Sequence, residues 1–255
     1  MSQGATKITQ LAREEGAAWQ ARCDLAAAYR IAALYGWANI TYNHISLRVP
    51  GQPRHFFVKR NDMMFDEVTA SSLLTLDLDG APVGEDRNVN AAGFTIHSAV
   101  LRARPDVNCV VHVHTPAGMA MSARRSGLLP AHQGALLFYN RLAYHDYEGL
   151  SDALAERERL ARDLGPHKAM ILRNHGLLTC AATPALALIL MKYLIDDCET
   201  QLLLEASGGA LHLPSPELCE RAAQQWEEYL RPGQDAEWGA LLRWLERKGA
   251  GGYDS

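Results

Sequence analysis

Apolar positions along the chain switch between two spacings, and the switches mark out the elements. Residues from about Glu14 to Tyr35 are Ala-rich and stop at Gly36, which predicts a helix closed by a glycine. Short runs with strand character follow at Ile45–Val49, His55–Val58 and Leu74–Leu78, the last ending at Asp79-Gly80, a hairpin-type turn. From Gly93 to Arg104 the helical spacing returns, with Phe94, His97, Ser98 and Leu101 on one face and Pro105 as the stop. Cys109–Thr115 (CVVHVHT) reads as a strand, and Thr115-Pro116 opens a helix whose first turn suits proline. Lys168–Leu172 is another strand, and Arg173-Asn174-His175-Gly176 turns the chain into Leu177–Cys180. Thr183-Pro184 caps a long helix to about Ala206, ended by Gly208-Gly209, and Ser215-Pro216-Glu217 opens the next. A final helix spans Glu237 to Lys248 and carries Trp238 and Trp244. Strands and helices mix without strict β-α-β alternation. The expected architecture is one α/β domain with a mixed sheet over residues 14–210, and a helical C-terminal extension over 211–255 packed on it.

Charge and composition narrow the class. The long helix is apolar enough to suggest a membrane span, but Lys192, Asp196, Asp197, Glu199 and Glu205 would each be costly in hydrocarbon. With 255 residues, 48% hydrophobic and 21% charged, the chain has the make-up of a soluble globular protein. A net charge of −4 leaves no electrostatic footprint for nucleic acid or an anionic membrane. Cys23, Cys109, Cys180, Cys198 and Cys219 form no C-x-x-C pair and sit mostly in apolar runs, which points to reduced, buried thiols and a cytoplasmic protein. The opening MSQGATKITQLAREEG has no apolar segment of the signal-peptide kind.

The chemistry concentrates in CVVHVHT. Strand alternation points His112 and His114 to one side and Val111 and Val113 to the other. Neutral imidazole is the commonest zinc ligand, and a divalent site needs three or four ligands. His175, in a tight connection beside a glycine that lets the backbone turn, is the best third candidate. Three protein ligands with an open position describe a catalytic rather than a structural site. An H-x-H pair alone leaves open that both histidines are hydrogen-bonded core residues. His97 reads as a packed core histidine and His44 as a residue at a loop-to-strand junction. Tyr139, Tyr144, His145, Asp146 and Tyr147 form a dense polar-aromatic cluster, read as an interface or surface loop. Arg124-Arg125 marks a helix end, and Met119, Met121 and Met191 read as core filler.

The segments HSAVLRARPDVNCVVHVHT, FYNRLAYHDYEG, LRNHGLLTC and the E-T-Q-x-x-x-x-A pattern from Glu199 to Ala206 together resemble the class II aldolase/adducin family. The similarity runs from about Asp24 to Gly209. It implies a three-layer α/β/α domain around a mixed, mainly antiparallel sheet. It also implies a divalent ion held by His112, His114 and His175, with Zn foremost and Mn, Fe or Co as alternatives. A small carbonyl- or carboxylate-bearing substrate and a homotetramer with fourfold symmetry follow from the same resemblance, with Phe138–Tyr147, read as an exposed aromatic run, contributing to the interface.

Two departures from the aldolase branch stand out. Its acid/base glutamate lies four residues before the helix histidine, and counting back from His97 gives Gly93. The stretch NAAGFTIH is closer to the adducin-like branch, and Glu85 and Asp86 could fill the role only along a different loop path. Tyr144 or His145 is then the expected proton donor. The phosphate-cradling glycine turns of the aldolases are also replaced, by Asn43-His44 and by Lys59-Arg60-Asn61-Asp62. Asn43, His44 and Lys59 become the expected substrate contacts, with a carboxylate fitting as well as a phosphosugar. Lys59-Arg60 could equally be a solvated strand edge.

Three functions are compatible with these residues. The first is a metal-dependent lyase, cleaving or decarboxylating a carbonyl compound through a metal-stabilised enediolate. The second is a non-catalytic, adducin-like oligomeric or cytoskeletal binding protein, favoured by the missing glutamate and opposed by the retained histidines. The third is a non-haem iron oxygenase, disfavoured by the lack of a carboxylate ligand. Because imidazole must be neutral to ligate, metal occupancy is expected to fall below about pH 6.

Overall fold

Strands whose residues are buried on both faces belong in the middle of a sheet, and two such strands sit there. The computed structural model describes residues 3–84, 86–89, 91–149, 155–231 and 236–255, with the side chains of 3–14 and 91–93 outside the description. Seven strands are present among them: β1 (His44–Val49), β2 (Gln52–Val58), β3 (Leu74–Asp77), β4 (Cys109–Val113), β5 (Leu142–His145), β6 (Ala169–Leu172) and β7 (Gly176–Ala181). They form one sheet in the order β3-β2-β1-β4-β7-β6-β5. Every adjacent pair is antiparallel except β5 with β6. β4 and β7, buried throughout, are the centre.

Alternation then divides the core into two layers. Ile45, Leu47, Val111, Val113, Ile171 and Leu177 point to one face and pack with Leu25, Ile31 and Leu194 from helices α1 (Gln3–Leu34) and α5 (Pro184–Ser207). Val110, Met170 and Leu178 point to the other and meet Ile96, Val100, Leu160 and Leu164 from α2 (Ala91–Ala103) and α4 (Glu156–Leu164). The result is the expected three-layer arrangement around a mainly antiparallel sheet. Capping chemistry fixes the helix ends as anticipated. Thr115 accepts from the Gly118 amide ahead of α3 (Pro116–Ser122), Thr183 from the Leu186 amide ahead of α5, and Gly208 closes α5 at φ 68°. Helix α6 (Pro216–Tyr229) rests on a 3-10 turn at Ala135–Phe138, with Trp226 Nε1 donating to the Gln133 carbonyl at 2.9 Å. Helix α7 (Ala236–Arg247) lies against α1, with Trp244 and Tyr35 ring centroids 4.9 Å apart. All five cysteines are free and buried. Among the described residues no helix is long and apolar enough to cross a membrane.

Several readings need correction. The aromatic segment from Phe138 to Tyr147 is not an exposed band: Phe138, Ala143 and His145 are buried, Tyr144 is half-buried, and much of it is β5. A four-residue strand gains its identity from pairing, here with β6, and carries little periodic signal of its own. α4 was equally hard to read, because Leu160 and Leu164, one turn apart, supply most of the apolar face of a charged segment. Met119 is exposed, unlike Met121 and Met191. Lys59 is buried rather than on a solvated edge, while Arg60 sits in exposed ion pairs with Asp62 and Asp86.

Tyr29, buried on α1, ties the helix to the sheet. Its hydroxyl donates to the Ile45 carbonyl and accepts from the Ile45 amide at 2.9 Å and the Lys59 amide at 3.3 Å. Replacing it with phenylalanine strands two buried amides and a carbonyl. Tyr29→Phe should lower unfolding free energy by about 1–3 kcal/mol, read as a lower urea midpoint at unchanged m-value.

Candidate metal centre

Chain alternation and sheet register bring the histidines together. His112 is the penultimate residue of β4, His114 lies two residues on and faces the same way, and β7 begins immediately after His175. The three rings meet with centroids 4.7, 4.8 and 4.7 Å apart, and one nitrogen from each falls within 4.8 Å of the others. The turn that delivers His175 is not built by glycine freedom. Asn174 takes the left-handed conformation (φ 53°), while Gly176 is required for clearance: a Cβ there would stand 2.6 Å from the Val113 carbonyl and 2.8 Å from His114 Cδ2.

Hydrogen bonding assigns one tautomer. His112 Nδ1 lies 2.9 Å from the Leu177 carbonyl, an acceptor, so Nδ1 carries the hydrogen and Nε2 keeps its lone pair. That Nε2 is 2.9 Å from His114 Nε2, closer than two lone pairs stand without a proton or cation between them. Burial pushes the imidazoles towards the neutral form. His112 lies well below its ordinary value, through desolvation and then the neighbouring His175 and His114. His114 is lowered by desolvation, and His175 falls to about 4, chiefly by desolvation with His114 and His145 adding to it. Three neutral nitrogens, one with its tautomer locked by a backbone carbonyl, suit a borderline divalent ion such as zinc and leave a coordination position open. The set contains no carboxylate, unlike the usual non-haem iron triad.

Around this cluster the other candidates divide. His44 pairs directly with His112 across the β1–β4 ladder and is buried, with Nε2 lacking a hydrogen-bond partner among the described residues. His97 lies edge-on to His44 at 6.1 Å, its Nδ1 2.6 Å from Ser46 Oγ and its Nε2 also without a partner there. Burial takes His97 down to about 3. The Asn43 amide donates to the Trp37 carbonyl at 2.6 Å, and Lys59 Nζ donates to the Thr41 and Arg60 carbonyls at 2.7 and 3.1 Å. Desolvation brings Lys59 down to about 8 against the opposing pull of Asp62 and Glu67.

Tyr144 and His145 are separated by strand alternation. Tyr144 packs on the α1/α5 face, where its oxygen accepts from the Leu128 amide at 2.9 Å and its ring lies under the Arg173 guanidinium at 4.4 Å. His145 is on the opposite face, that of the triad, with Nδ1 2.8 Å from Asp163 Oδ2 and Nε2 3.4 Å from Glu156 Oε1. Asp163 and Glu156 both come from α4 and escaped the sequence reading with that helix; an i,i+7 carboxylate pair was their signal. Gly93 occupies the first turn of α2, one turn before His97, and Asp86 is engaged by Arg60. Glu85 lies outside the described residues.

A model of the Class II Aldolase and Adducin N-terminal domain fits residues 23–202. The chain belongs to the class II aldolase and adducin family. Alpha-adducin of Rattus norvegicus is 44% identical over 192 residues, 74% of this chain but 26% of the adducin. An aldolase II superfamily protein from Pseudomonas syringae superposes with a TM-score of 0.88 at 43% identity, covering 94% of this chain and 96% of that one. An L-fuculose 1-phosphate aldolase from Glaciozyma antarctica PI12 superposes with a TM-score of 0.80 at 28% identity, covering 92% and 93%. The family thus spans named aldolases and adducins, with this chain similar to both.

His112→Ala should remove most of the bound metal, because two imidazoles cannot complete the site; metal-to-protein ratio after desalting measures it. The depressed values also move the acid limit. A proton displaces the ion from His175 only as pH falls towards about 4, below the ordinary imidazole value of about 6.5. Occupancy should therefore persist at about pH 5.5 and fall as pH approaches about 4 in a chelator-free titration. Full loss already at about pH 6 would contradict the burial argument.

Proposed function

We propose that the chain is a metal-dependent lyase acting on a small carbonyl compound, by C–C cleavage or decarboxylation. The observation that carries this reading is the convergence of three neutral imidazoles on one point, with the His112 tautomer locked by the Leu177 carbonyl. When bound, the ion, with zinc foremost and Mn, Fe or Co as alternatives, supplies Lewis-acid polarisation of a carbonyl and stabilisation of enediolate charge. The chain's own residues do the rest. His145, on the face of the triad and backed by Asp163, is the group placed to hold and return a proton at Nε2. His44, beside His112, and the buried Lys59 ammonium offer donors to a substrate carboxylate, and Asn43 fixes the β1 entry on which both depend. Tyr144, on the far face, takes no part within one subunit. We include in the proposal a cytoplasmic homotetramer, as the family resemblance implies, and residues 211–255 as an extension of the 14–210 domain.

A second reading, an adducin-like binding protein without catalysis, is favoured by Gly93 and by the identity to alpha-adducin. Metal analysis of protein purified without chelator separates them. Stoichiometric Zn or Mn supports the lyase, Fe would favour an oxygenase, and metal-free protein the binding function.

Gly93 offers no carboxylate, and acid–base catalysis of this kind is worth roughly 10²–10⁴-fold in rate. Metal-loaded protein assayed on ketose phosphates and, in parallel, on 2-keto and β-keto acids should turn over the keto acids and be nearly inactive on the phosphosugars. His145→Ala should abolish that turnover with the metal retained, and Tyr144→Phe should leave most of it. Efficient cleavage of a ketose phosphate defeats the proposal.

A further inference from the structure

Across the sheet from the triad, α5 buries an acid that its surroundings do not satisfy. Asp197 is 1% exposed, and neither carboxylate oxygen has a hydrogen-bond partner among the described residues. Its nearest charge-bearing neighbour is His132, whose Nε2 lies 3.2 Å from Oδ1 without hydrogen-bond alignment. Gly134 makes this approach possible, since a Cβ there would stand 2.7 Å from Asp197 Oδ1 and 3.2 Å from His132 Cε1. A purely structural position in the middle of a helix would be filled better by an apolar side chain, because an unsatisfied buried carboxyl is costly.

His132 forms part of the wall of a cleft of about 670 Å³ between the 3-10 turn, α5 and α6. Tyr193, Trp226 and Tyr229 line the same cleft in successive edge-on contacts, with centroids 5.1 and 5.8 Å apart. Two acids stand next to its walls: Glu237, which accepts from the Tyr229 hydroxyl at 3.4 Å, and Asp197 behind His132. Tyr193 is held above its ordinary value by burial and then by Tyr229, Glu237, Asp196 and Asp197. The nearby cation Lys192 is already paired with Asp196 at 2.6 Å. Aromatic faces, a carboxylate on the Tyr229 hydroxyl, and an imidazole with a buried carboxyl behind it are the groups that recognise an organic cation bearing an N–H.

We propose that this cleft is a ligand site for a small organic ammonium ion, with its charge over the aromatic rings, its N–H on His132, and Asp197 as the buried counter-charge. His132 Nε2 lies towards Asp197, and the proposal assigns the ligand's N–H to the other ring nitrogen, Nδ1. The proposal is independent of the metal centre, which lies on the opposite face of the sheet.

Binding is coupled to one proton. Burial, with Asp196 adding to it, pushes Asp197 up to about 8. At neutral pH the carboxyl is therefore mostly protonated, and an arriving cation displaces that proton. Affinity should rise with pH until Asp197 is ionised and fall below it. Protonation of His132 at low pH repels the ligand further; burial lowers this ring's value and Asp196 opposes that.

The test is a titration of the full chain with benzylammonium chloride, read by tryptophan fluorescence, with Trp226→Phe assigning the signal and calorimetry supplying the affinity. A saturable response is expected, about twenty-fold tighter at pH 8.5 than at pH 6.5. Asp197→Asn, checked for folding by its thermal midpoint, should weaken binding at pH 8.5 by about ten-fold or more and remove the pH dependence. Metal-stripped protein should bind equally well. The proposal is overturned if benzoate binds as tightly as benzylammonium. It also fails if folded Asp197→Asn binds like the parent chain, or if no saturable response appears up to about 10 mM, the range of very weak binding.

Discussion

The arrangement of the three-histidine cluster depends on one hydrogen bond between adjacent strands. His112 Nδ1 donates to the carbonyl of Leu177, the residue facing Val113 across the β4–β7 ladder. This bond orients the ring, assigns its hydrogen and leaves the Nε2 lone pair facing the other two imidazoles. It exists only because β4 and β7 are antiparallel neighbours in this register. A one-residue slip would turn His112 towards α1 and α5 and separate it from His175. The candidate metal centre therefore takes its geometry from two strands that are buried throughout.

That placement has a thermodynamic consequence for the protein without metal. His112, His97 and His44 are buried and neutral, with folded values below that of a free imidazole. The unfolded chain takes up protons at these positions as pH drops below about 6.5, whereas the folded chain does not until much lower. The stability they permit is present above that pH and erodes on acidification. A bound ion would oppose the loss by adding its binding free energy to folding. A cluster of this kind weakens a core against acid, which is tolerable where the same groups serve a ligand.

How much of this was legible depended on whether a feature was local. The facing of His112 and His114 follows from period-two alternation, and the ends of α3 and α5 from Thr-Pro pairs and Gly208. The mixed sheet followed from the lack of strict β-α-β alternation, while its mainly antiparallel character and the three layers came through family resemblance. β5 and α4 were invisible for a shared reason: each is short, and what defines it is its neighbour. Lys59 misled because a lysine at a strand end usually reaches water. Here Thr41 and Arg60 supply backbone acceptors that no local pattern reveals. Gly176 was correctly singled out for the wrong property, since its missing Cβ, not its backbone freedom, lets the turn close on His114.

The departure at Gly93 becomes intelligible through the one parallel pair in the sheet. Because β5 runs parallel to β6, both strands end at the same edge of the molecule, and His145 lies opposite Leu172. The chain leaving β6 is fastened there by the Arg173 amide to the His145 carbonyl at 2.8 Å, and two residues later it delivers His175. An ionisable group at the end of β5 is thus carried to the triad by the same backbone bond that positions its third imidazole. Had β5 been antiparallel, its last residue would lie at the far end of β6. α4 completes the arrangement by setting Asp163 and Glu156 against His145. With glycine at position 93 of α2, the fold still holds a carboxylate-backed imidazole on the face of the triad. Alternation decides which of the two adjacent residues faces the triad: it turns Tyr144 to the other face and leaves His145.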